Sequence, residues 1–162
     1  MKKTMLSIAT VVAILTCGSL AVTHAQTRAH VLQTPGEATW GPAPPFVPAG
    51  AQIAVLSGDP GKAAPYSLRF KLPASYSVPA HSHPTDENVV VVTGSLTFGM
   101  GDKLVKGPAN KALGSGSYAL MPANMNHFAY TTSRETVIIL YGTGPVEFKY
   151  VNPADDPRNA KK

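Results

Sequence analysis

The 162-residue chain carries 14 Lys and Arg against 9 Asp and Glu, a formal charge of +5 at pH 7, and one cysteine. Beyond the first few residues the basic side chains are scattered, and no basic face interleaved with aromatics can be drawn, which argues against nucleic acid as a partner. Cys17 lies in the N-terminal apolar run, so removal of that run would leave no thiol nucleophile, no disulfide and no cysteine-based zinc site.

The opening "MKKTMLSIATVVAILTCGSLAVTHAQ" sets Lys2 and Lys3 before an acid-free apolar run that ends in Thr23-His24-Ala25. This is the order of a secretory signal peptide, residues 1–25, cleaved after Ala25. The protein would then be exported, periplasmic or secreted, with no stable membrane association after cleavage. The alternatives are an anchor retained over Met5 to Val22 and lipid attachment at Cys17, the latter disfavoured by the bulky Thr16 before it. Residues 26–50 form a lead-in rich in Pro and Gly, expected to be irregular and laid on the domain surface by Trp40 and Phe46.

Residues 51–151 then read as a succession of short β-rich runs: "QIAVLS", "YSLRFKL", "ENVVVVT", "SLTFGM", "SYALM", "HFAYTT", "ETVIILYG" and "VEFKYV". Turn signals separate them, among them "SGDPGK", "PAHSHP", "GSG" and "MPANMN". Runs of this length with hardly any helical period predict an all-β fold of short antiparallel strands, a sandwich or a barrel. The fully apolar runs at 89–92 and 137–140 fit strands buried on both faces, or strands at a subunit contact. The tail, residues 152–162, is polar and broken by Pro, and no structure is expected of it.

Chemistry concentrates in "HSHPTDENVVVVTG", residues 81–94. His81, His83 and Glu87 share parity and would face one way wherever the chain stays extended, although Pro84 and Asp86 favour a bend. Asp86, of opposite parity, should face away, and Gly94 offers the backbone freedom for a hairpin. His127, at the start of a run after a Pro-containing turn, is the candidate for one more imidazole. His30 lies in a polar segment and reads as a surface residue. Arg69 alternates with Leu68 and Phe70 and should face solvent, while Phe70, Phe98, Tyr118, Met121, Phe128 and Tyr130 are core residues or cavity lining.

These two segments resemble the paired motifs of the cupin superfamily. His81, His83, Glu87 and Gly94 fall in register with the first motif, with Ser75 in place of its initial Gly. Gly116, Pro122 and His127 match the second, with Asn124 where a Gly and Thr131 where an Asn would stand. Asn tolerates the left-handed backbone, so the turn should be kept. The resemblance covers residues 75–131 and implies a single-domain cupin jelly-roll barrel, also called a double-stranded β-helix. It further implies a divalent transition metal (Fe, Mn, Ni, Zn or Cu) held by His81, His83, Glu87 and His127, with positions left for water or substrate.

Three neutral imidazoles, one carboxylate and a divalent ion sum to a positive charge, which favours an anionic ligand. The first functional reading is therefore a metal-dependent enzyme, of dioxygenase or isomerase type, acting on a small organic molecule. Glu87 is then the candidate catalytic residue, the one side-chain proton acceptor that the spacing marks out. The second reading is a module that binds or senses a small molecule or a metal without turnover. A homodimer fits the apolar strands in either case.

Overall fold

Alternation is cleanest over Pro65–Leu72, where Tyr66, Leu68, Phe70 and Leu72 are buried while Ser67, Arg69 and Lys71 turn outward. In the computed structural model, which describes residues 30–160, this run is the third of eleven strands. In order they are β1 (Gly41–Pro42), β2 (Gln52–Ser57), β3 (Pro65–Leu72), β4 (Ser77–Ser82), β5 (Glu87–Thr93), β6 (Ser95–Met100), β7 (Lys111–Gly114), β8 (Tyr118–Met121), β9 (His127–Thr131), β10 (Thr136–Thr143) and β11 (Lys149–Tyr150). They pair antiparallel in two sheets, β1-β2-β3-β10-β5-β8 and β11-β4-β9-β6-β7. The core between them includes Leu68, Phe70, Val89, Leu96, Ile138 and Leu140. Among the described residues there is no α-helix, so the all-β expectation holds.

The two apolar runs lie side by side as β5 and β10, with Ile139 opposite Val90 and Leu140 opposite Val89. Burial still alternates along them: Val89, Val91, Ile138 and Leu140 are buried, whereas Val90, Val92, Val137 and Ile139 are half-buried. Within one chain these strands therefore bury a single face, and burial on both faces is not observed.

Strand β4 was not legible as a strand, because "SVPAHS" holds one β-branched residue and a proline and reads as a turn. It forms because β9 offers it a ladder, pairing Ser77 with Tyr130, Val78 with Ala129 and His81 with His127. The register slips between Val78 and His81. Pro79, which has no N–H to give to a ladder, sits in that irregularity, and bulges of this kind re-aim the side chains that follow.

The positions at which the chain departs from the motif glycines keep the backbone a glycine would take. Ser75 has φ 57° and Asn124 φ 60°, both left-handed, like Gly94 at 81° and Gly116 at 82°. At Gly94 a Cβ would come within 2.6 Å of the Glu135 carbonyl, so the hairpin into β6 requires glycine. Thr131, where the motif has Asn, is buried and ties the β3–β4 turn: its hydroxyl donates to the Pro73 carbonyl at 2.6 Å and accepts from the Tyr76 N–H at 2.8 Å.

Both flanks are more ordered than the sequence suggests. In the lead-in, Trp40 receives the Lys71 ammonium 4.3 Å from its ring centroid, while Val47 is buried and Phe46 packs on Phe148. The tail, for which no structure was expected, folds into 3-10 turns at Pro153–Asp155 and Pro157–Asn159, capped by Asn152 and Asp156. The signal peptide expected at residues 1–25 lies outside the described residues. His30 is exposed, as read.

Candidate metal centre

The chain leaves one sheet at Ser82 and enters the other at Glu87, so residues 83–86 are a crossover between sheets. His81 is the penultimate residue of β4, His83 stands on the crossover, Glu87 begins β5 and His127 begins β9 directly opposite His81. His81 and Glu87 therefore meet from opposite sheets rather than along one extended strand, which is where parity reasoning was incomplete. All four are buried, with relative exposures of 3% for His81, 3% for His83, 7% for Glu87 and 1% for His127. Asp86 faces away, its Oδ1 accepting from the Ala123 N–H at 2.8 Å.

One ring nitrogen from each of His81, His83 and His127 lies within 4.8 Å of the others. The opposite nitrogens are committed. His81 Nδ1 is 2.7 Å from the Pro79 carbonyl, His127 Nδ1 is 3.0 Å from the Met125 carbonyl, and His83 Nδ1 is 2.9 Å from the Glu147 carbonyl. A carbonyl can only accept, so each Nδ1 carries a proton, and in a neutral ring it is Nε2 that keeps the lone pair. The bulge at Pro79 thus has a chemical role, since the carbonyl it turns inward fixes the tautomer of His81.

His83 Nε2 is buried without a hydrogen-bond partner and lies 3.5 Å from Glu87 Oε2. A lone pair facing a carboxylate oxygen in a buried site is unfavourable unless a proton or a metal ion lies between them. Desolvation holds His81 well below the ordinary imidazole range, with repulsion from His127 and then His83 adding to it, against the Pro79 carbonyl. His127 is lowered by the same desolvation, opposed by the Met125 carbonyl and the charge of Glu87. Both rings are neutral near pH 7, the form in which imidazole binds a metal. The donor set, nitrogen with one carboxylate and backbone carbonyls behind the rings, fits a borderline divalent ion.

Glu87 stands apart from the imidazoles in one respect: its carboxylate touches His83 but lies outside the set of donors that are all within 4.8 Å of one another. Beside the cluster is a space of about 40 Å³ lined by His81, Glu87, His127 and apolar side chains including Phe70, Val89, Leu96, Phe98 and Phe148. Of the aromatics singled out in the sequence, Phe70 and Phe98 line it. Met121 and Phe128 are buried, Tyr130 takes Lys106 over its ring, and Tyr118 is exposed and donates to Asn88 Oδ1. Arg69 is on the outward face but half-covered, with a buried Nε.

Sequence reasoning missed Phe148, whose ring stacks on His81 at a centroid separation of 4.2 Å and an interplanar angle of 13°. Phe148 was hidden because "VEFKYV" alternates like any edge strand. The Tyr66 phenol, on β3, is held protonated by burial and then by the charge of Glu87, but it does not line the cavity.

The model of the ChrR cupin-like domain matches residues 28–147. Solved structures share the fold at low identity. The polyketide cyclase RemF from Streptomyces resistomycificus superposes with a TM-score of 0.61 at 17% identity, covering 82% of this chain and 90% of that one. An RmlC-like cupin from Ralstonia eutropha gives 0.57 at 18%, covering 76% and 73%. The DMSP lyase DddQ from Ruegeria pomeroyi gives 0.52 at 19%, covering 73% and 68%. A search of curated proteins finds no match. The jelly-roll barrel expected from the paired motifs is the fold observed.

Proposed function

The chain belongs to the ChrR cupin-like domain family, and from that premise we propose that it is an exported metal-dependent enzyme acting on a small, anionic organic molecule. One observation carries the reading: three buried imidazoles have their Nδ1 atoms committed to backbone carbonyls and their Nε2 atoms turned toward one another. His81, His83 and His127 would hold a divalent Fe, Mn, Ni, Zn or Cu ion, with Glu87 as fourth ligand. Such an ion supplies Lewis acidity toward an oxygen-bearing ligand, or a site for dioxygen.

The chain's own residues do the rest. The carbonyls of Pro79, Met125 and Glu147 orient the rings, and apolar side chains make up most of the wall beside them. Glu87 is the proton acceptor at the cavity edge. Dioxygenase- and isomerase-type chemistry both suit these parts. That the superposable cupins include a cyclase and a lyase supports a small-molecule substrate.

A second reading, a binding or sensing module without turnover, is favoured by the cavity lining, which offers no ionisable side chain besides His81, Glu87 and His127. Metal-dependent conversion of any candidate substrate separates the two. The half-covered stripe of Val90, Val92, Val137 and Ile139 supports a homodimer, which sedimentation velocity would report as twice the chain mass. Export predicts a native N-terminus at Gln26, readable by mass spectrometry.

The reading is tested by elemental analysis of protein purified without chelator or metal-affinity tag, beside His81→Ala. Near-stoichiometric transition metal in the first and little in the second is expected. No metal in either, and none on reconstitution, would contradict it.

A further inference from the structure

The space beside the histidine cluster is small for an enzyme of organic substrates. One water needs ~10–15 Å³ of such volume, and an apolar cavity that accepts benzene measures ~150 Å³. At about 40 Å³ this cavity holds a ligand of a few atoms and excludes a ring. One side chain occupies the place a ring would take. Phe148 lies flat on His81 and edge-on to His83 at 4.8 Å and 73°, and both it and His81 border the cavity.

That ring is held from several sides. Phe46 packs against it at 5.3 Å. The Glu147 carbonyl before it receives His83 Nδ1, and its own carbonyl accepts from Arg158 at 3.2 Å. Beyond it, β11 pairs Lys149 with Ser82 and Tyr150 with His81, and the Tyr150 hydroxyl donates to the Phe46 carbonyl at 2.7 Å. Arg158 is in turn fixed by Asp156, with Nε 2.8 Å from Oδ1 and Nη2 2.6 Å from Oδ2. The lead-in and the tail, neither of which contributes a metal donor, thus converge on one aromatic wall.

We propose that Phe148 is the specificity-determining residue of this site, limiting the ligand that reaches the histidine-bound metal to about three non-hydrogen atoms. The class admitted is water, hydroxide, dioxygen or an anion of formate size. The inference rests on the metal reading above and narrows its substrate: a larger organic molecule can present only such a terminal group, or must displace the Phe148 strap.

Cobalt(II) substitution gives a readout independent of turnover, because ligands entering the coordination sphere shift its visible bands. The wild-type protein is titrated with formate, azide, propionate and benzoate. Formate and azide should shift the spectrum and benzoate should not. In Phe148→Ala, which removes a ring's volume, benzoate affinity should rise about tenfold or more while azide stays within about threefold. If that variant does not fold, Phe148→Leu retains most of the packing, and propionate should be the acid gained. Benzoate binding equally to wild type and variant, or propionate excluded equally from wild type and Phe148→Leu, would overturn the size limit. Cobalt bands absent altogether would overturn the metal reading beneath it, and the inference with it.

Discussion

Two hollows in this molecule differ in opposite senses. The groove between the edge strands β7 and β8 spans about 560 Å³ and is lined by Met100, Lys111, Leu113, Tyr118 and Leu120, with Lys111 its one charged group. The space at the histidines is about 40 Å³ and borders two imidazoles and a carboxylate. The groove follows from topology, since β7 and β8 each end a sheet and neither pairs with the other. The small cavity cannot be explained that way. Burying lone pairs that face each other and a carboxylate is costly, and the fold adds three carbonyl hydrogen bonds to keep them so. Convergent unsatisfied donors, rather than volume, mark the site.

The largest effect should separate the two hollows. His127→Ala should reduce metal occupancy from near one per chain to near zero, whereas Leu120→Ala in the groove should leave it unchanged. Occupancy lost in both would erase the distinction.

Next comes the pair of adjacent acids. Glu87→Gln should weaken metal affinity by about 10- to 100-fold, by analogy with disruption of a ligand's support. Asp86→Asn, which alters one exposed hydrogen bond to Ala123, should leave affinity within about threefold. Competition titration with a chromophoric chelator measures both, and equal losses would mean that Glu87 is not the inward acid.

The histidines should also set the pH response of the metal-free protein. Unfolded histidine titrates near 6.5, while His81 and His127 titrate lower when folded. Below about 6.5 the unfolded chain therefore binds more protons than the folded one, so stability is full above that pH and declines as pH falls toward the folded values. Urea unfolding across pH 7 to 5 should show the decline, with a flatter slope in His81→Ala. A steeper slope in the variant would contradict the assignment.

The smallest effect is remote from either hollow. Ser75→Gly relieves a left-handed backbone at φ 57° and should raise stability by up to ~1 kcal/mol in chemical denaturation, with metal affinity unchanged.

Much of this was legible because it is local. The alternation that places Glu87 with Val89 and Val91 on one face, the hairpin at Gly94 and the tolerance of Asn124 for a positive φ all depend on neighbours within a few residues. Strand β4 was not legible, because Pro79 hides it and its partners β9 and β11 are both distant in the chain. Nor was Phe148: its place on His81 is decided by the pairing of β11 with β4, far apart in the chain. The tail gave no sign of order because its turns are held by Asn152 and Asp156 caps and by Arg158 reaching the Phe148 carbonyl.

The central claim, a metal held by three imidazoles through Nε2, is most directly tested by anomalous diffraction from crystals of chelator-free protein, collected above and below the absorption edge of the metal found. A single peak about 2.0–2.2 Å from Nε2 of His81, His83 and His127 is the predicted result. A peak elsewhere, or an empty cluster in protein that carries stoichiometric metal, would contradict it.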